Sequence, residues 1–212
     1  MASNLSGKLE KRFTDLEKAV DWIISTDTPK IKAYVEKLRE QNSGISDDVL
    51  ALKIANRKSL KCGLIGAVTG LGGLLTMPLT VPSNIIATWR IQAVMASAIA
   101  CVYGHTKDTT EMKTDIYLIM AGNQATEALK RLGIETAKAV TKKAIERLIT
   151  RDIMVKIWSI VGRKIITKAG EKSLISFVRM VPLVGAPVGF AFDWAYAKTI
   201  GNFAMKYYSG KE

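Results

Sequence analysis

From Cys62 to Thr106 the chain runs for 45 residues with one formally charged side chain, Arg90. A stretch this apolar has to be buried in protein or meet lipid. Its first half contains Gly63, Gly66, Gly70, Gly72 and Gly73, followed by Pro78 and Pro82. A helix starting at residue 62 is therefore expected to break near Met77 or Pro78. Ser83 and Asn84 then cap a second helix, from about Ile85 to Tyr103, that ends at Gly104. This predicts an apolar, glycine-rich helical hairpin. A bilayer crossing takes about 20 apolar residues. The uncharged run before Pro78 has 16, and Arg90 at mid-membrane would cost on the order of 2.5 to 3.5 kcal/mol. Both halves are marginal as spans, so a hairpin packed inside the protein is expected ahead of an interfacial or a membrane-crossing one.

On either side of this block the pattern is amphipathic. Leu9, Phe13, Leu16, Val20, Ile23 and Ile24 recur at three and four, which predicts a helix over 6–25. A second helix is expected from near Thr28, with Pro29 at its first position, to Asn42, Ser43 and Gly44. A third begins at Ser46, where Asp47 and Asp48 suit the positive end of a helix. Residues 1–45 read as a charged helical extension packed on or beside the rest. Helical spacing resumes from Thr114 to Ala169, with breaks near Gly133 and around Thr150 to Asp152, and includes the stripe Met154, Val155, Trp158, Val161, Ile165 and Ala169. A proline and glycine hinge at 182–187 precedes a largely apolar helix carrying Asp193, Lys198 and Lys206. No alternating, β-branched run competes with these. The expected fold is all-α: one domain over 1–212, a compact bundle of about eight helices around the central hairpin. The length of 212 residues suffices for one sizeable core.

The net charge of +12 favours polyanionic partners. It is segregated: residues 134–180 hold 11 basic and 4 acidic side chains. Within that segment Lys138 and Lys142, Arg147 and Arg151, and Lys164 and Lys168 are each four apart, so each pair shares a helix face. Such faces suit anionic lipid. Nucleic acid is an unlikely partner, because no recognition-helix motif, zinc pattern or aromatic-studded strand accompanies the charge. One histidine and two cysteines supply neither a metal set nor a catalytic triad, so no cofactor, metal or enzymatic activity is expected. The glycines of GAVTGLGG lack the lysine and hydroxyl ending of a phosphate loop. Cys62 and Cys101 read as small buried hydrophobes, and the N-terminus turns charged before any apolar run, which points to a cytoplasmic location. Asp193, in an apolar setting, calls for a cation or a cap if it is buried, with Arg90 as a candidate partner, and both could equally face solvent. His105 reads as a half-exposed loop residue, and a hydrolase centred on it with Asp108 is the weakest of the readings.

Two stretches resemble the EcsC family of bacterial proteins. One is the segment CGLIGAVTGLGG through the proline-led helix to Ile99, Ala100, Tyr103 and Gly104. The other is VPLVGAPVGFAFDWAYAKTIGNFAMKYY, with Pro182, Gly185, Gly189, Ile200, Gly201 and Ala204 in the matching places. The resemblance implies a compact helical protein, in a family named for an association with an ABC-transporter operon, and brings no catalytic residues. The family often has an acidic residue soon after Tyr-Gly, whereas this chain has His105 first and Asp108 later. The resulting expectation is a non-enzymatic cytoplasmic protein, peripheral to the inner membrane face, that binds anionic lipid or a membrane or transporter partner through a basic helical face that includes Lys138, Lys142, Arg147, Arg151, Lys164 and Lys168. The alternative is a soluble immunity or regulatory factor docking an acidic protein.

Overall fold

The computed structural model describes residues 22–71, 83–106, 110–121 and 182–210. Among the described residues every regular element is helical: α1 Thr28–Glu40, α2 Asp47–Leu71, α3 Ser83–Val102, α4 Thr110–Ala121 and α5 Pro182–Ser209. Residues 22–24 form a helical turn ahead of α1. The expected helix over 6–25 is otherwise outside the described residues, as are the helices expected between 122 and 181.

Local chemistry sets the ends. Asp27, in extended conformation, accepts the Lys30 backbone N–H at 3.1 Å, and Pro29 occupies the first turn, where its missing N–H is not needed. The Asn42 side chain donates to the Leu38 carbonyl at 2.8 Å as α1 closes, and Ser46 Oγ accepts Val49 N–H at 3.4 Å as α2 opens. At the end of α3, Gly104 takes φ +83°, the His105 N–H bonds the Ala100 carbonyl at 2.9 Å, and the Gly104 N–H bonds that of Cys101 at 3.1 Å. These paired bonds need a left-handed residue between them, a conformation that glycine adopts without strain.

Two sequence expectations are corrected. The charged N-terminal third and the glycine-rich block are not separate: α2 runs from Asp47 through Lys61 and on to Leu71 as one helix. The hinge at 182–187 is absent, because α5 begins at Pro182 and continues through Pro187. Pro182 sits at the first position, where proline is tolerated. Pro187 forfeits one backbone bond near the helix start, and its flanking glycines are held against another helix.

That helix is α2. A Cβ on Gly66 would lie 2.8 Å from the Gly189 carbonyl carbon, one on Gly70 2.6 Å from that of Gly185, and one on Gly189 2.9 Å from that of Gly66. Residues 66 and 70 thus face 189 and 185, so α2 and α5 run antiparallel with their backbones touching. Each glycine gives up about 0.5 to 1 kcal/mol of helix stability relative to alanine, which only this approach justifies. Farther along, Gly201 meets Ala55 of α2 and Met95 of α3, so three helices converge there. The α3 helix packs along α2 in the opposite sense, with Cys62 Sγ 3.8 Å from the Thr88 carbonyl. A single hydrophobic cluster, from Ile23 and Ile24 to Tyr207 and Tyr208, draws on all five helices. The charged α1 is part of it through Ile31, Val35 and Leu38, spaced four and three apart.

Polar ties fasten the periphery. Arg39 donates to the Val102 carbonyl at 2.8 Å and pairs with Asp47 at 2.7 Å, joining the ends of α1, α2 and α3. Tyr103 donates to Asp48 at 2.7 Å in the same corner, and buried Tyr207 donates to Asp115 of α4 at 2.7 Å. Burial, then the Asp48 bond, pushes the Tyr103 hydroxyl well above the usual phenol range; burial raises Tyr196, and burial followed by the Asp115 charge raises Tyr208.

Replacing Gly66 or Gly70 by alanine is expected to destabilise by roughly 1 to 3 kcal/mol in urea unfolding, as overpacking does, although an open helical site would gain from the same change. A neutral or stabilising Gly66→Ala would show that the backbones do not touch. The tyrosines set the alkaline limit. Their folded values are raised, so the stability they confer is complete below about pH 10 and is lost as pH climbs through those raised values. Tyrosinate absorbance should therefore appear together with loss of helical circular dichroism. Ionisation at ordinary pH with the helices intact would contradict this.

Candidate functional site

The exposed face of α2 changes character along its length. Lys53, Arg57 and Lys61 are four apart and exposed, forming a cationic row over its middle turns. Leu60, Leu64 and Val68 continue the same side of the helix and are 48%, 54% and 68% exposed. The row is partly organised: Lys53 Nζ donates to Asn42 Oδ1, and Arg57 lies beside the Tyr34 hydroxyl. Lys58, on a neighbouring face, stands 4.8 Å over the Tyr34 ring, and burial lowers its ammonium below the usual lysine range. The sequence reading missed this surface because it divided the chain at residue 61, between a charged segment and an apolar one. The signal was present in the two interleaved four-residue spacings.

The other expected site residues fall in different places. Lys138, Lys142, Arg147, Arg151, Lys164 and Lys168 lie outside the described residues, as does Asp108. Of the two readings left open for Arg90 and Asp193, a mutual pair or solvent exposure, neither describes the contacts that Arg90 makes. Arg90 Nη1 donates to the carbonyls of Trp22 at 2.7 Å, Ile23 at 3.0 Å and Ser25, and its guanidinium lies 5.1 Å from the Trp22 ring centre. The physical reason is the helical turn at 22–24. Its terminal carbonyls have no partner within the helix and carry the negative end of its dipole, so a half-buried guanidinium is drawn to them. Asp193 is buried in the α2–α5 crossing, where its Oδ2 lies 2.7 Å from the position of a Cβ on Gly66. His105 is half-buried, with Nε2 3.3 Å from the Tyr208 carbonyl and its ring 5.2 Å from the Tyr208 ring. This holds the loop after α3 onto the end of α5. Among the described residues no cluster of three or more histidine, cysteine, aspartate or glutamate side chains could hold a metal.

Cys62 is fully buried, and burial raises the thiol of half-buried Cys101. A raised thiol is protonated at neutral pH and a poor nucleophile. No described helix is long and apolar enough to cross a membrane. Among the described residues, the exposed surface with an organised chemistry is the α2 face, cationic in its middle and aliphatic towards its C-terminal end.

The Arg90 contacts carry a prediction. Arg90→Met should destabilise by about 1.5 to 3 kcal/mol, the range for hydrogen bonds to a charged group. Arg90→Lys should recover only part, because an ammonium lacks the planar guanidinium that lies over the Trp22 ring while its Nη1 donates to the carbonyls. Urea unfolding measures both, and equal stability of all three proteins would contradict the capping role.

Neither a curated protein nor a solved structure matches the chain. The EcsC protein family matches residues 5–210, nearly its whole length, and the chain belongs to that family.

Proposed function

We propose that this protein is non-enzymatic and acts at the cytoplasmic face of a bacterial inner membrane, docking peripherally on anionic lipid through basic helical faces. The observation that carries the reading is the cationic row Lys53, Arg57 and Lys61 on the open side of α2. No acidic residue occurs between Asp48 and Asp108, so nothing along that stretch of chain repels a phosphate headgroup. The segment 134–180, with its excess of seven positive charges, adds to the same attraction. Each cation near an anionic bilayer contributes about 1 kcal/mol, and the field decays over a Debye length of about 10 Å at 0.1 M salt. Several cations on rigid helices therefore suffice for reversible attachment without a spanning segment.

Flotation with lipid vesicles tests this. Binding is expected to vesicles containing phosphatidylglycerol and not to pure phosphatidylcholine, and to weaken as salt is raised. Lys53→Gln, Arg57→Gln and Lys61→Gln together should lower it further, as should Lys164→Gln with Lys168→Gln. Equal binding to both lipids, or none, would overturn the reading. Salt-sensitive capture of one acidic protein, with no vesicle binding, would replace it by the soluble interaction role.

A further inference from the structure

We propose that the aliphatic end of the α2 face, Leu60, Leu64 and Val68 with Trp194 of α5 beside it, is the surface that enters the membrane interface, while the glycine-bearing side of the same turns remains packed inside the protein. This rests on the peripheral docking proposed above and names the element that goes into the lipid.

Geometry separates the two sides. At 100° per residue, Gly63, Gly66 and Gly70 point about 130° away from the line through Leu60, Leu64 and Val68. The glycines are closed off by α5: Gly63 by the Phe190 ring and Trp194 Cβ, Gly66 and Gly70 by the backbone at Gly189 and Gly185. Among the described residues the aliphatic line has no such cover, and its exposure increases towards the C-terminal end of the helix. Trp194 is 41% exposed, and its Cβ lies 3.0 Å from the position of a Cβ on Gly63, so α5 brings this residue against the turn that carries Leu60 and Leu64. Three exposed aliphatic side chains in one line, with an exposed tryptophan on the adjoining helix, exceed the scattered single hydrophobes of an ordinary exterior.

Charge selects lipid as the occupant. The cations lie on the same side of α2 as the aliphatics, interleaved with Leu60 and about one to four turns before Leu64 and Val68. At 1.5 Å per residue, Leu64 lies about 4.5 Å and Val68 about 10 Å beyond Lys61 along the axis. With α2 entering tip first, that offset carries both side chains into the layer of about 5 to 10 Å beneath the headgroups in which interfacial helices bury their apolar face. With Lys61 at the phosphates and Arg57 and Lys53 about 6 and 12 Å farther out along the axis, Leu64 and Val68 reach the acyl boundary, and exposed Trp194, against the Gly63 turn, stands at the interface level that indoles favour. The neighbouring acid Asp193 is turned into the contact with Gly66, so the patch carries no buried carboxylate against the lipid. A second copy of the chain would bring a like cationic row against the first.

The test places an environment-sensitive nitrobenzoxadiazole label on Val68→Cys in a Cys101→Ser background, with a label on exposed Ser43→Cys as the control. On phosphatidylglycerol vesicles, the residue 68 label should brighten several-fold and shift to the blue, and the residue 43 label should not. Leu64→Ser with Val68→Ser should weaken vesicle partitioning about tenfold, the scale expected for withdrawing two partly buried aliphatic side chains, and leave binding that salt removes entirely. Val49→Ser with Leu52→Ser, exposed on the opposite end of α2, should not change it. If the unlabelled protein binds these vesicles but the residue 68 label stays dark and the Leu64, Val68 variant binds as well as its parent, this inference fails and peripheral docking stands. If no vesicle is bound, both fail. If light scattering shows a dimer that the Leu64, Val68 variant dissociates, the patch is a self-association surface and the inference is overturned.

Discussion

The contact on which the fold depends is the meeting of two backbones. Gly66 and Gly70 of α2 lie on Gly189 and Gly185 of α5 at a separation that admits no β-carbon on either side. Everything else is arranged around that approach: Asp193 is enclosed by it, Gly201 lets Ala55 and Met95 close in farther along, and the remaining faces of both helices are left for α3 or for the exterior. Two helices sharing such a seam gain many small dispersion contacts instead of a few large interdigitating side chains. That accounts for a core rich in alanine and glycine along α2, α3 and α5, with the large aliphatics concentrated near α1 and α4.

Much of this architecture was legible from local chemistry. The start of α1 near Thr28, the Ser46 cap of α2, the beginning of α3 at Ser83 and its stop at Gly104 each follow from residues within a turn of the boundary. What could not be read is who covers whom. The glycines at 63, 66 and 70 announce a close approach but not its partner, which lies more than a hundred residues away. That partner was disguised, because Gly185 and Gly189 stand among Pro182 and Pro187 and so look like a hinge. Proline at a first helical position and glycine in a crossing are both compatible with a continuous helix, a fact that only the tertiary contact makes decisive.

The candidate site was hidden for a related reason. Dividing the chain by composition placed a border at residue 61, in the middle of one continuous helix, and separated Lys53, Arg57 and Lys61 from Leu64 and Val68. Charge density and hydropathy are averages over windows, whereas a surface is defined by angular position. Arg90 shows the converse error. Its isolation in an apolar sequence left an ionic partner or solvent as the alternatives, whereas among the described residues it is the carbonyls at a helix end that accept from it.

The length of α2 has a mechanical implication. Its 25 residues make a rod of about 37 Å. Near its N-terminal end the rod is clamped by Asp47 to Arg39 and by Asp48 to Tyr103, and along its other half it is interlocked with α5. A rod held in this way does not bend locally. A load on Val68 is therefore shared with α5 along the glycine contact before it reaches the Arg39 corner. Whatever engages the far tip has leverage on the place where the ends of α1, α2 and α3 meet.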